Sequence, residues 1–301
     1  AEVDYDDVKS VDYSINVLAK KHDRPFFLAC GIFRPHLPWY APKRFFDLYP
    51  LKKIRLPDLQ MKDLSDVPVE GRALAARRRD EFENIKKHGK WKEGIRAYLA
   101  SISFADAQLG RLLDALEQSA HRENTIIVFW SDHGWHLGEK NHWHKSTLWE
   151  EATRIPFLIA APGITKGGTN CTRPVDTLSI YPTLLELCGL KPAVHLDGTS
   201  IVPLLKNPVA PWTIPAITEF QRGQCAVRSE RYRYIRYGDG TEELYDHHKD
   251  PNEWTNLAGD ASYRPVIEQL APWIPKQFAP NAPSKNAYRF DHKTYTWTPK
   301  N

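Results

Sequence analysis

TIIVFWSDHGWHLGEKNHWHKSTLWEEATRIPFLIAAPG, residues 125–163, sets two apolar runs on either side of a loop holding Asp132, His133, three further histidines and Lys145. TIIVFW and IPFLIAAPG are short and unbroken, the pattern of strands buried on both faces. Upstream, Ile95, Leu99, Ile102, Ala105, Leu109, Leu112 and Leu116 recur at three- and four-residue spacing and predict a helix over Glu93 to Ala120. Downstream, DTLSIYPTLLELCGL predicts a helix that stops at Gly189. Strands alternating with helices imply an α/β layer built on a mostly parallel sheet.

The pattern extends in both directions. Ser10 to His22 reads as a helix, and RPFFLACGIF (residues 24–33) as another buried strand. The following RPHLPWYAP has three prolines, which exclude helix. Lys52 to Lys92 is rich in basic residues and predicts a surface crossing with some helix around Leu74 to Lys87. After about Ala210, PAITEF, QCAVRS, RYRYIRYG and EELYDH predict a small antiparallel sheet, with RYRYIRYG as a half-exposed strand. The tail from about Ala279 predicts no regular structure. Residues 1–209 and 210–301 are therefore expected to form two units.

Composition excludes some classes. The 301 residues are 42% hydrophobic and 26% charged, a globular balance. The net charge of +4 (41 basic minus 37 acidic) is too small and too evenly spread for nucleic acid. No run approaches the ~18 apolar residues of a membrane span. AEVDYDD has no signal-peptide pattern, and the missing initiator Met fits a processed or truncated product. Cys30 and Cys188 read as buried thiols, Cys171 and Cys225 as a possible pair, and the redox compartment stays open.

In open parallel sheets, ligands bind beyond the C-terminal strand ends. Asp132 and His133 sit there, and Gly134 permits a sharp turn. A carboxylate beside an imidazole makes half of a metal site; two donors alone do not hold an ion. Lys145 suits a tetrahedral oxyanion near that metal. His36, after its own strand, is placed to protonate a leaving alcohol. Loop histidines such as His142 and His144 read as solvated side chains, and Trp135 and Trp143 as rim packing or substrate platforms.

These residues resemble a known family. SDHGWHLGEKNHWHK is similar to the second signature region of the formylglycine-dependent sulfatases, most closely the iduronate-2-sulfatase-like group. FFLACGIFRPHLPWYAPKRFFDLYP, FADAQLGRLLDALE, RPVDTLSIYPTLLELCGL, LDGTSIVPLL and ELYDHHKDPNEWTNLA are further such blocks, in family order over nearly the whole chain. The resemblance implies an alkaline-phosphatase-like α/β fold: a mostly parallel sheet flanked by helices, incomplete at the N-terminus, plus a small C-terminal antiparallel α+β subdomain. It implies a bound calcium, with Asp132 and His133 matching the later pair of metal ligands. The hard-oxygen preference of calcium keeps manganese and zinc open. Lys145 matches the lysine that holds the sulfate, His36 the histidine beside the leaving oxygen, and Trp135 a pocket-lining position.

The chain departs from the family in one respect. None of its cysteines or serines begins a Cys/Ser-x-Pro-x-Arg motif, the source of the formylglycine nucleophile. That nucleophile and the early aspartate ligands are expected on an N-terminal segment outside these residues. The expected activity is sulfate-ester hydrolysis on a sulfated sugar or glycosaminoglycan-like substrate, with this chain alone inactive. An exported location follows from the resemblance only. Two alternatives are a phosphatase or phosphodiesterase on the same fold, and a non-catalytic binder of sulfated glycans.

Overall fold

The computed structural model describes residues 2–60, 62–77, 79–280 and 287–300. Five helices come first: α1 (Asp6–Leu18), α2 (Lys43–Asp47), α3 (Val69–Ala76), α4 (Arg79–Lys87) and α5 (Trp91–Glu117). The three-and-four spacing is realised in α5, the longest of them. Val8 of α1, Phe45 of α2, and Ala100 and Phe104 of α5 share one buried cluster.

After α5 the chain forms β1 (Ile127–Trp130), the short strands β2 (His136–Leu137) and β3 (Trp143–His144), helix α6 (Glu150–Thr153) and β4 (Phe157–Ala160). β4 returns beside β1 and pairs antiparallel with it, from Ile127↔Ala160 to Trp130↔Phe157. All the strand pairs among the described residues are antiparallel, so any parallel pairing of the sheet is not made between these strands. Burial on both faces is also corrected. Trp130 is 45% exposed and Leu158 59%, and the register sets them on opposite faces of the pair, so neither face is fully covered. RPFFLACGIF has no ladder partner among the described residues, and Phe27 is 83% exposed.

Helix α7 (Ile180–Leu187) ends as predicted, with Gly189 at φ +64°. Helix α8 (Val202–Lys206) then leads to the four-stranded antiparallel sheet β5 (Ala216–Glu219), β6 (Cys225–Arg228), β7 (Tyr232–Arg236) and β8 (Glu242–Asp246). All four lie where the sequence placed them, but β7 is not half-exposed. Tyr234 joins Cys225, Val227 and Leu244 against Ile267 and Leu270 of α9 (Arg264–Leu270). Ile235 faces the other way, packing with Ala226, Tyr245, Leu148 and Trp149. The sheet is covered on both faces, and each buried Leu or Ile contributes about 1.5–3 kcal/mol.

Three further expectations fail. The tail is not wholly irregular: β9 (Tyr288–Asp291) and β10 (Thr296–Pro299) form a hairpin. Cys188 is exposed rather than buried, and Cys171 and Cys225 do not pair. Cys225 is sealed in β6, and burial pushes its thiol up to about 11. Among the described residues no helix is long and apolar enough to cross a membrane.

Candidate active site

Beyond β1 the chain turns at once. Ser131 Oγ donates to the His133 carbonyl at 2.9 Å, and Gly134 N donates to Ala152 O at 2.8 Å. A Cβ on Gly134 would stand 2.1 Å from the Glu151 carbonyl oxygen. The glycine is needed for close approach to α6, not for a left-handed turn.

His133 Nδ1 lies 2.7 Å from the Gly134 carbonyl, which only accepts, so Nδ1 carries the proton. The Nε2 lone pair accepts from Lys145 Nζ at 2.7 Å, with Asp132 Oδ2 3.5 Å away. Asp132, His133 and Lys145 thus meet at one point on the wall of an open groove of about 2480 Å³. A carboxylate and an imidazole nitrogen facing one point fit part of a divalent-cation site, provided Lys145 gives up the His133 lone pair to the ion.

His36 lies behind this point, on the far side of Trp135 from His133. Its Nδ1 donates to the Leu37 carbonyl at 2.7 Å, and its ring lies 6.4 Å from that of Trp135. Trp135 is buried and also meets His133, Trp39 and His144, at 6.3, 5.7 and 4.5 Å between centroids. Its Nε1 is buried without a hydrogen-bond partner among the described residues. The structure therefore brings Asp132, His133 and Lys145 into direct contact and sets His36 one indole away.

His142 and His144 are not solvated. His142 is fully buried, with Nδ1 3.0 Å from the Ala75 carbonyl and Nε2 2.8 Å from the Lys145 carbonyl. His144 pairs with Glu81 at 2.7 Å. The loop needs such anchors: Lys140, Asn141, His144 and Ser146 all have positive φ, a costly conformation for non-glycine residues.

A buried charge network clamps this loop to the C-terminal sheet. Lys140 Nζ donates to Asp63 at 2.7 Å and to the Glu253 carbonyl. Arg233 of β7 donates to the Leu148 carbonyl at 3.1 Å, and pairs with Glu150 and Glu253. Burial alone would raise the Glu253 carboxyl, but Arg233 and His247 outweigh it and hold it at about 2. Glu150, His247 and Glu253 have metal-like spacing, yet both carboxylates are already paired, Glu150 with Arg233 and Arg228, and Glu253 with Arg233 and His247. Sequence reasoning missed Arg233, Glu253, Lys140 and Asp63. Their partners lie 77 to 113 residues away or more locally in a loop, and no period marks them.

The sulfatase family profile matches residues 2–190, and that of the N-sulphoglucosamine sulphohydrolase C-terminal region matches residues 138–278. The chain belongs to the sulfatase family. A sulfatase from Formosa agariphila is 44% identical over 271 residues, covering 90% of this chain and 53% of its own length. Iduronate 2-sulfatase from Homo sapiens is 33% identical over 233 residues, covering 64% of this chain and 42% of its own length. The chain spans about half the length of these sulfatase relatives. The phosphonate monoester hydrolase of Agrobacterium radiobacter superposes with a TM-score of 0.78 at 23% identity, covering 100% of this chain and 66% of that one. Its likeness concerns the fold, which is the alkaline-phosphatase-like α/β fold with an antiparallel C-terminal sheet. Sulfatases are metal-ion proteins, consistent with the donor set at Asp132 and His133.

Proposed function

We propose that the protein carrying this chain hydrolyses a sulfate ester on a sulfated sugar or glycosaminoglycan-like substrate. The observation that carries this is the convergence of Lys145, His133 and Asp132 at one point on the groove wall. Iduronate 2-sulfatase among the relatives supports the sugar.

Each side chain then has a task. Lys145 holds a nonbridging sulfate oxygen and stabilises the charge that grows there. His36, oriented by its Nδ1–H bond to Leu37, delivers a proton from Nε2 to the departing alcohol oxygen as the S–O bond breaks. Trp135 forms the wall between His36 and His133. A divalent cation held by Asp132 and His133, calcium with manganese or zinc as alternatives, would supply further charge stabilisation to the sulfate. The formylglycine nucleophile is expected on a segment outside residues 1–301. The same proposal takes residues 1–209 as the catalytic part, residues 210–301 as the small antiparallel part, and the protein as exported.

Full-length protein assayed on matched aryl sulfate and aryl phosphate tests this reading. Faster sulfate cleavage supports it. Faster phosphate cleavage with a zinc requirement favours the phosphatase alternative, which the phosphonate hydrolase fold likeness keeps in view. Binding of sulfated glycan without turnover favours a non-catalytic role.

A further inference from the structure

His36 sits on a seven-residue loop, 34–40, without regular structure. A general acid needs a fixed position, and a loop alone does not supply one. The fixing contact comes from the first turn of α1. Asp7 has no exposed side-chain surface, yet it is charged and lies far from the groove residues in sequence. Its Oδ1 accepts from the backbone N–H of Phe33 at 2.5 Å and of Arg34 at 3.3 Å. Its Oδ2 accepts from Arg34 Nη1 at 3.1 Å. Arg34 Nε donates to the Tyr40 carbonyl at 3.1 Å, so one guanidinium ties the start of the loop to its end. The Phe33 carbonyl accepts from His36 N at 3.0 Å, and the Phe33 ring packs 4.8 Å from the His36 ring. Trp39 Nε1 closes the inner turn on the Pro35 carbonyl at 2.7 Å.

We propose that Asp7 is a positioning residue for His36: its buried carboxylate fixes Phe33 and Arg34, and through them the direction of the imidazole. The inference rests on the reading of His36 as the proton donor to the leaving alcohol. It predicts a specific kinetic signature. When the donor is misplaced, esters of basic alcohols suffer most, because their oxygens need the proton before they depart. Esters of acidic phenols leave without it.

The test uses full-length enzyme and a series of sulfate esters ordered by the acidity of the leaving alcohol. Asp7→Asn, which keeps the size but removes the charge that holds Arg34, is compared with His36→Ala. Asp7→Asn is expected to lose about 10- to 100-fold in kcat on esters of basic alcohols and little on 4-nitrophenyl sulfate, matching the steepened leaving-group dependence of His36→Ala. If His36→Ala steepens the dependence and Asp7→Asn lowers every substrate equally or none, the inference fails while the reading of His36 stands. If His36→Ala itself leaves the dependence flat, both fail. Should Asp7→Asn not fold, Arg34→Gln carries the same comparison. It keeps the Asp7 bonds to the backbone and removes the tie to Tyr40, and steepening or its absence decides in the same way.

Discussion

Lys145 Nζ stands 2.7 Å from His133 Nε2 although twelve residues separate them, and the His133 ring is turned to that contact by its own bond to Gly134. The intervening chain leaves the groove, makes the β2–β3 ladder and includes three non-glycine residues at positive φ, Lys140, Asn141 and His144. The contact is therefore a product of the anchors beneath the loop, and those anchors can be removed one at a time.

His142 is the nearest. It faces the Lys145 and Ala75 carbonyls from full burial. His142→Leu takes a ring donor away from a buried carbonyl and is expected to cost about 1–3 kcal/mol in denaturant unfolding. Lys145 moves with its freed backbone, so sulfate turnover in the full-length protein falls by more than the stability loss explains. Unchanged unfolding would remove His142 from the account.

Glu253 sets the acid limit. Its pKa is depressed from 4.5 to about 2, so its contribution is present above pH 4.5 and is lost as pH falls toward 2. Stability measured by denaturant titration should decline across that window. Glu253→Gln leaves the fully buried Arg233 with Glu150 as its remaining carboxylate and is expected to cost about 3 kcal/mol at pH 7. Its remaining stability should decline less steeply below pH 4.5 than that of the parent. Parallel pH curves would contradict this.

Gly134 tests the close approach to α6. The Cβ of Gly134→Ala would meet the Glu151 carbonyl oxygen at 2.1 Å and the Arg154 carbonyl oxygen at 2.8 Å. Backbone cannot rotate away as a side chain can, so the loop shifts, at about 1–3 kcal/mol. A variant with parental stability and metal affinity would show that the approach is not required.

Metal affinity offers a readout independent of turnover. In calorimetric titration of the full-length protein with calcium, manganese or zinc, Asp132→Ala and His133→Ala should each weaken binding of the resident ion by at least about tenfold, a loss of about 1.4 kcal/mol. Undiminished binding in both variants would place the ion elsewhere.

Local pattern and long-range pairing differ in how much they write into the sequence. The spacing from Ile95 to Leu116 is helical, and α5 follows it. The four short runs after Ala210 became β5 to β8 because β-branched and aromatic residues between turn residues specify strands locally. Asp132 and His133 were readable as a pair because they are adjacent. Lys145 was readable as an oxyanion partner at the end of the same loop, and the resemblance matched it to the sulfate-holding lysine; its return to His133 depends on folding. The partners of Arg233, Lys140 and Asp7 were not readable at all. A lone charged residue in a strand or helix looks solvated until its partner is known, which is why RYRYIRYG read as half-exposed. The direction of β4 against β1 was also hidden, since an apolar run carries no sign of which neighbour it joins.

The most direct measurement is turnover of a sulfated sugar and of its phosphate counterpart by full-length protein and by Lys145→Ala. The account predicts that the sulfate is cleaved faster and that Lys145→Ala lowers its kcat by about 10²–10³-fold, the size of losing one charge-stabilising group. Preferential phosphate cleavage, or full sulfate turnover by Lys145→Ala, would contradict it.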